Sequence, residues 1–221
     1  MKRHSSFSAR AALALALAVC LTAGCAPQAG SGEFSFGTWD QSSQRYTNTS
    51  LDYTLPLPRG WNILPEDQRL ALTGAKPQDV ANQQKLRIYL ADFTALFDVV
   101  ISAPAGIPRV SVVVENNAKG SVAVNKPEDY CDAMKRQLSG TGTSYEFGSY
   151  SARTIGGQQF LLMPVLNKEH DLHQDYYVRL QGPYAVCFFT VYTSAEKAQT
   201  DAVLDSVTPA EAGTGGASSA A

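Results

Sequence analysis

The chain has 221 residues, of which 44% are hydrophobic and 17% are charged, and its formal net charge is −2. Three of the 18 basic residues and none of the 20 acidic residues precede Cys25, so the rest of the chain carries a formal charge of −5. That sign argues against nucleic-acid binding, which requires clustered Lys and Arg side chains. It also argues against adhesion to anionic lipid through a basic patch.

The chain begins with the three parts of an export signal. Residues 1–10 carry three positive charges, residues 11–21 are apolar, and Ala23-Gly24-Cys25 supply small residues for processing. The eleven apolar residues are too few for a helix across a bilayer, which needs about 20. We therefore predict a signal peptide over residues 1–24 that is removed on export.

The end of this signal resembles a bacterial lipobox, with the sequence Thr22-Ala23-Gly24-Cys25. Thr22 takes the place where that motif usually has Leu, and Leu21 stands one position earlier. The resemblance implies that Cys25 becomes the first mature residue and carries diacylglycerol on its sulfur, with palmitate among its acyl groups. Such a protein is extracytoplasmic and is anchored to the bacterial cell membrane by lipid. The alternative is an ordinary secretory signal, with Cys25 left as a thiol.

The composition of the remaining chain predicts a single domain between two unstructured ends. Residues 25–45 are mostly small and polar, which favours a flexible tether between lipid and domain. Residues 209–221 contain little to bury and are predicted to be disordered. One domain is expected over residues 46–208.

The first half of this domain alternates strands with short helices. Leu51, Tyr53 and Leu55 alternate with polar residues, which predicts a half-buried strand, and the prolines that follow limit it to a sheet edge. Proline and acidic residues then predict a short helix over residues 65–74 and another over residues 76–90.

Two valine-rich segments, residues 97–103 and 109–116, predict neighbouring strands. Pro127 then opens a helix that Gly140 ends. The apolar stripe of this helix is bordered by Cys131, which is therefore expected to face the sheet.

Four segments separated by glycine turns predict an antiparallel meander: residues 144–154, 158–166, 174–180 and 184–192. The last segment is apolar on both sides, so we expect it at the centre of a sheet that is covered on both faces. Residues 193–196 form a capping box that begins the final helix.

Cys131 and Cys187 form an even pair in a chain predicted to be exported. A disulfide between them closes a loop of about 57 residues and contributes up to about 4 kcal/mol in the chain-entropy model. The alternative is a pair of buried thiols that act as small hydrophobic groups.

The order of these elements, together with several short motifs, resembles the PsbP-like α/β/α sandwich, and in particular bacterial lipoproteins of that shape. The residues that carry the resemblance are Tyr46, Leu51, Tyr53, Pro58, Gly60, Trp61 and the strand at residues 110–115. It implies an α+β fold with a largely antiparallel central sheet and helices on its faces. Because members of this fold include a photosystem-associated subunit and a small-GTPase-binding protein, it also implies a role in binding or assembly. No site motif of those proteins matches this chain.

One segment, Glu169-His170-Asp171-Leu172-His173-Gln174-Asp175, is dense in possible metal ligands. The candidates are His170, His173 and Asp175. On a strand His173 and Asp175 share a side, whereas His170 and His173 share a face only on a helix. A zinc or copper site needs at least three converging ligands. A polar hairpin turn is the alternative explanation.

A possible nucleophile motif, S-x-x-K, occurs at Ser194-Ala195-Glu196-Lys197. Its companion triplets S-D-N and K-T-G are absent from the sequence, and the position coincides with the helix cap. We therefore expect no enzyme and no cofactor.

The leading prediction is an envelope lipoprotein that acts as a non-catalytic binding or assembly module for an envelope protein. The alternative is a small-molecule or metal-binding lipoprotein that uses a cleft beside the sheet.

Overall fold

A computed structural model of the chain describes residues 33–92, 95–117 and 124–210. The predicted signal peptide over residues 1–24, the start of the predicted tether and the tail from residue 211 lie outside the described residues. Within the described ranges, no helix is long and apolar enough to span a bilayer.

The described residues form two antiparallel sheets and four α-helices. The strands are β1 (Thr38–Asp40), β2 (Arg45–Asn48), β3 (Tyr53–Pro56), β4 (Asn62–Ile63), β5 (Ala95–Ser102), β6 (Arg109–Asn116), β7 (Tyr145–Phe147), β8 (Ser151–Ile155), β9 (Gln158–Met163), β10 (Val165–Asn167), β11 (Leu172–Gln181) and β12 (Tyr184–Thr193). The helices are α1 (Glu66–Ala71), α2 (Gln83–Asp92), α3 (Pro127–Ser139) and α4 (Lys197–Asp205).

Strand β12 lies at the centre of the larger sheet, whose order is β4-β5-β6-β12-β11, with β10-β7 and β9-β8 both continuing from β11. Both sides of β12 are buried, because Phe188 belongs to one core and Cys187 to the other. The first face of the sheet packs against the small sheet β1-β2-β3 and against α1, α2 and α4. The second face packs against α3. The predicted α+β architecture and the central place of β12 are confirmed.

Two predicted strands are each divided in the structure. Residues 144–154 form β7 and β8, and residues 158–166 form β9 and β10 with Pro164 between them. Proline has no amide hydrogen for the ladder, so pairing stops at this residue. The Gly148 amide donates to the Pro164 carbonyl at 2.8 Å. The break between β7 and β8 therefore lies beside the break between β9 and β10.

The predicted tether over residues 25–45 is too long, because the folded domain begins before Tyr46. Phe34 is 2% exposed in the first core, and β1 pairs with β2. Burying a Phe side chain stabilises a fold by about 1.5–3 kcal/mol, which outweighs the flexibility favoured by the neighbouring small residues. Residues 34–45 therefore belong to the domain.

A buried carboxylate fastens the small sheet to the large one. Asp98 is fully buried at a register shift in β5, between Phe97 and Val99. Its Oδ1 accepts from the Tyr46 hydroxyl at 2.8 Å, and its Oδ2 accepts from the Tyr53 hydroxyl at 2.5 Å. The Asn48 side-chain amide also donates to Oδ2, and the Gly37 amide donates to Oδ1. We call Asp98, Tyr46, Asn48 and Tyr53 the Asp98 cluster.

Burial raises the pKa of Asp98, and hydrogen bonds from Tyr53, Tyr46, Gly37 and Asn48 oppose the shift. Tyr46 and Tyr53 are also two of the residues on which the PsbP-like resemblance depends. Their place in this part of the sequence therefore has a structural reason, since each supplies a hydroxyl to one oxygen of Asp98.

The predicted disulfide is not formed in the structure, in which Cys131 and Cys187 are both buried free thiols. They lie in the same core beneath α3, so the prediction that this helix brings Cys131 towards the sheet is right. Burial raises the pKa of Cys131 to about 12 and that of Cys187 well above its usual value. Each thiol fills apolar space as a small hydrophobic group, and the pairing itself stays a prediction.

Candidate functional site

Three of the residues singled out in the sequence, His173, Asp175 and Ser194, lie together with Asp171 and Tyr192 where β11 begins and β12 ends. We call this group the hairpin-end cluster, and its members are Asp171, His173, Asp175, Tyr192 and Ser194. His173 and Tyr192 are cross-strand partners, and their rings stack at 5.0 Å between centroids and 4° between planes. His173 and Asp175 share one side of β11, as the strand period predicts. Tyr192 donates its hydroxyl to Asp175 Oδ2 at 2.6 Å.

Ser194 is held by two neighbours rather than activated by them. Its hydroxyl donates to Asp171 Oδ1 at 3.0 Å and lies 3.1 Å from His173 Nε2. Since the hydroxyl proton points to Asp171, the His173 ring nitrogen must donate to Ser194. A serine nucleophile needs the opposite arrangement, in which histidine accepts the hydroxyl proton.

The S-x-x-K pair is also not assembled. Lys197 Nζ forms an ion pair with Asp201 Oδ2 at 2.6 Å, one helical turn along α4. Ser194 forms its side-chain hydrogen bonds with Asp171 and His173 instead. The residues form a helix start, where the Thr193 backbone amide donates to Glu196 Oε2 at 2.9 Å, as the capping-box prediction requires.

The three predicted metal ligands do not converge. Among the described residues there is no group of three or more His, Cys, Asp and Glu side chains that could hold a metal ion. His173 and Asp175 are on one side of β11, but Asp175 is buried and already accepts from Tyr192. His170 lies in the turn before the strand, where its amide donates to the Asn167 carbonyl. The structure therefore corrects the proposed grouping of these three residues.

Asp175 is the most unusual titratable group of the cluster. It is 4% exposed, and its Oδ1 has no hydrogen-bond partner. Burial raises the pKa of Asp175, while the Tyr192 hydrogen bond and the positive charges of His173 and Lys197 oppose the rise. Because the folded pKa lies above the unfolded one, this group contributes most stability below about pH 4 and loses it as the pH rises through the folded pKa.

Replacing Asp175 with Asn is therefore expected to raise the midpoint of thermal unfolding at pH 7.5 by about 2–4 °C. The amide keeps an acceptor for Tyr192 and removes the buried charge. The gain should shrink as the pH falls towards 4 and below, where Asp175 becomes protonated in the unfolded state as well as in the folded one. Calorimetric scans from pH 4 to pH 8 measure this, with Asp67→Asn, at an exposed position, as the control. A variant less stable than wild type at pH 7.5 contradicts the prediction.

A second polar group lies on the opposite face of the sheet, and we call it the second-face frame. It consists of Arg109 and Ser111 on β6 and Gln174 and Tyr176 on β11. Ser111, Gln174 and Tyr176 are 0%, 3% and 4% exposed, respectively. The atoms Ser111 Oγ, Gln174 Oε1, Arg109 Nε and the Tyr176 hydroxyl oxygen are all buried and have no hydrogen-bond partner among the described residues. A buried polar atom without a partner costs about 1–3 kcal/mol, so four on one face require an explanation.

The arginine of the frame also has no counter-charge. Burial lowers the pKa of Arg109, and no carboxylate of the described residues forms an ion pair with it. By contrast, Arg153 is held by Asp201 and Asp205 at 2.7 Å each. The buried Nε of Arg109 is therefore left without a hydrogen-bond partner or counter-charge in the described part of the chain.

Comparison with solved structures returns proteins of this general shape. Cyanobacterial PsbP (CyanoP) from Synechocystis sp. PCC 6803 is 17% identical, with 84% of this chain and 98% of that chain covered and a TM-score of 0.43. LpqN of Mycobacterium tuberculosis, which is involved in cell envelope biogenesis, is 15% identical, with 72% and 83% covered and a TM-score of 0.40. The PsbP-like resemblance is found again.

No protein-family model matches the chain, and no curated protein matches its sequence. At the identities and TM-scores of the two structures, neither protein's role is transferred to this chain.

Sequence reasoning missed the second-face frame. In β6, Arg109 and Ser111 alternate with Val110 and Val112, which is typical of a strand with one side in water. Gln174 and Tyr176 also stand two positions apart on β11, but they alternate with Asp175 and Tyr177, so this strand shows no polar and apolar alternation. Only the pairing of both strands with β12 places all four on one buried face.

Proposed function

We propose that the chain is a lipid-anchored protein of the bacterial cell envelope that acts as a non-catalytic binding or assembly module. Cys25 carries the lipid in this proposal, and the domain that begins near Phe34 lies outside the cytoplasm. A short segment between Cys25 and Phe34 then keeps the domain within a few nanometres of the bilayer.

The observation that carries the proposal is the contrast between the two polar groups. In the hairpin-end cluster, Ser194, His173 and Asp171 form hydrogen bonds with one another and Lys197 is paired with Asp201, so that one atom, Asp175 Oδ1, is left without a partner among the described residues. In the second-face frame, four polar atoms have no partner within the part of the chain that the structure describes. Polar groups that form hydrogen bonds or ion pairs with one another support a structural role, whereas buried polar groups without partners support a role in binding.

The alternative function, a small-molecule-binding lipoprotein, is favoured by the same frame. A small ligand with polar atoms satisfies groups that the protein leaves unpaired. The metal-binding version of this alternative has no such support, because the candidate ligands His170, His173 and Asp175 do not converge.

Crosslinking in intact cells tests the proposal. Ile88 on α2 is the large hydrophobic side chain that is 55% exposed, so a photoreactive residue placed there disturbs no core. We expect reproducible adducts with an envelope component, identified by mass spectrometry, and fewer of them for a probe at the exposed Gln159 on β9. If neither position gives an adduct above the level of unirradiated cells, the assembly role is wrong.

A further inference from the structure

We infer that the exposed face of α2 is the surface through which the tethered domain contacts the lipid bilayer. We call Gln84, Lys85, Arg87 and Ile88, which are all exposed on this helix, the α2 face. The inference rests on the proposed lipid anchor at Cys25 and adds to it the orientation of the domain.

The chain from Cys25 enters the domain beside this helix. The Phe34 carbonyl accepts from the Gln83 side-chain amide at 2.7 Å, and Glu33 Oε1 lies 3.5 Å from an Arg87 guanidinium nitrogen. Glu33 is the eighth residue after Cys25, so the two are at most about 29 Å apart even in a fully extended chain. A lipid on Cys25 therefore keeps the α2 side of the domain close to the bilayer.

The entry point lies at one end of the central strand. The Phe34 ring is 6.3 Å from the ring of Tyr184, the first residue of β12. Asn116, the strand partner of that tyrosine, donates its side-chain amide to the Leu90 carbonyl of α2. The hairpin-end cluster lies at the other end of β12, about 30 Å away at about 3.4 Å per residue. The α2 face and the hairpin-end cluster are therefore near and far from the lipid, respectively.

The side chains of the α2 face match the boundary between lipid head groups and acyl chains. Among the described residues, Ile88 is the one large hydrophobic side chain that is exposed, at 55%, whereas Leu86 and Tyr89 of the same helix are buried in the first core. Helices that lie on a bilayer place apolar side chains below the head groups and basic ones at their level. Lys85 and Arg87 stand beside Ile88, and their long side chains reach phosphate groups while Ile88 contacts acyl chains.

A polar hollow beside Ile88 suits a lipid head group. It has a volume of about 220 Å³ and is lined by Glu33, Gln83, Gln84 and Arg87. The ion pair between Arg87 and Glu33 leaves the two side chains 66% and 56% exposed, respectively. An exposed pair of this kind is weak, so Arg87 is able to exchange the carboxylate for a lipid phosphate.

The tether makes such a small contact surface sufficient. The formal charge of −5 of the predicted mature chain does not favour attachment by charge alone. Once the lipid holds the domain at the bilayer, contact by the α2 face is an intramolecular event at high effective concentration. One apolar side chain and two basic side chains then orient the domain without having to capture it from solution.

Photocrosslinking of the full, lipid-carrying chain in vesicles tests the inference. The vesicles contain phosphatidylcholine alone or phosphatidylcholine mixed with anionic phosphatidylglycerol. An apolar photoreactive residue replaces Ile88 or, as the control, Ala195, which is exposed beside the hairpin-end cluster. We expect at least about five times more phospholipid adduct at position 88 than at position 195, measured by intact mass.

Two matched double variants link the adducts to the basic side chains. Lys85→Gln with Arg87→Gln is expected to lower the adduct yield at position 88 by about 5- to 30-fold in vesicles with phosphatidylglycerol, and by less in phosphatidylcholine alone. Lys168→Gln with Lys197→Gln removes the same charge at the far end of β12 and should leave the yield unchanged. Circular dichroism and unfolding midpoints check that both double variants are folded.

Vesicle flotation separates failure of the inference from failure of the anchor. A chain that floats with the vesicles but gives equal phospholipid adducts at both positions, or whose yield the Lys85 and Arg87 substitutions leave unchanged, overturns the inference alone. A chain that does not float overturns the lipid anchor and the inference with it. In intact cells the envelope component captured at Ile88 is then expected to be phospholipid. Protein adducts there in its place overturn the inference and support docking of an envelope protein on α2.

Discussion

Replacing Asp98 with Ala is expected to lower the free energy of unfolding by about 3–5 kcal/mol. The substitution leaves the Tyr46 and Tyr53 hydroxyls, the Asn48 amide and the Gly37 backbone amide without their acceptor inside the first core. Total stabilities of such domains are about 5–15 kcal/mol, so the variant is close to unfolding. Urea denaturation followed by tryptophan fluorescence and circular dichroism measures the loss.

Asp40 offers the matched control, because it also accepts hydrogen bonds, from Ser42 and Ser43, but is exposed. Asp40→Ala should leave the urea midpoint unchanged. Tyr53→Phe removes one donor and should cost about 1 kcal/mol. If Asp98→Ala and Asp40→Ala unfold at the same urea concentration, apolar burial alone holds the small sheet on the large one.

Replacing Cys25 with Ser is expected to abolish incorporation of palmitate and to move the protein from the membrane fraction to the soluble fraction. A diacylglyceryl group gives stable anchoring because each buried methylene contributes about 0.8 kcal/mol and two chains act together. The formal charge of −5 of the predicted mature chain does not favour an alternative attachment to anionic lipid. Metabolic labelling with an alkyne analogue of palmitate, followed by fractionation, measures both effects.

Cys20→Ser is the control for this substitution, because Cys20 lies in the apolar part of the predicted leader. Its labelling and location should match those of the wild type. Label that persists on the Cys25→Ser chain, or a wild-type chain that never takes up label, contradicts the lipid anchor.

Local features of the fold were predictable because their causes lie within a few residues of one another. Helix α3 begins at Pro127, whose fixed φ suits the first helical position, and its C-terminal cap is the predicted Gly140, which keeps a right-handed conformation there. Thr193 and Glu196 form the predicted capping box, three residues apart. The central place of β12 followed from its apolar residues on both sides, since each side must be covered by something.

The predictions that proved wrong concern segments whose structure depends on contacts with residues elsewhere in the fold. Residues 34–45 resemble a tether in composition, but Phe34 reaches the first core and Gly37 donates to Asp98, 61 residues further along the chain. The three proposed metal ligands are close in sequence, yet a turn before β11 separates His170 from the two residues on the strand.

The sequence by itself determined the alternation within the longer strands, the ends of α3 and the expectation of an antiparallel sheet with helices on its faces. The helix predicted over residues 76–90, by contrast, begins only at Gln83. The sequence also placed Arg109, Ser111, Gln174 and Tyr176 on alternate positions of their strands. Only the tertiary structure decided that those positions are buried on one face and that Asp98 meets two tyrosines about 50 residues away. The physical reason is that side-chain alternation fixes which residues share a side of a strand, whereas burial depends on what packs against that side.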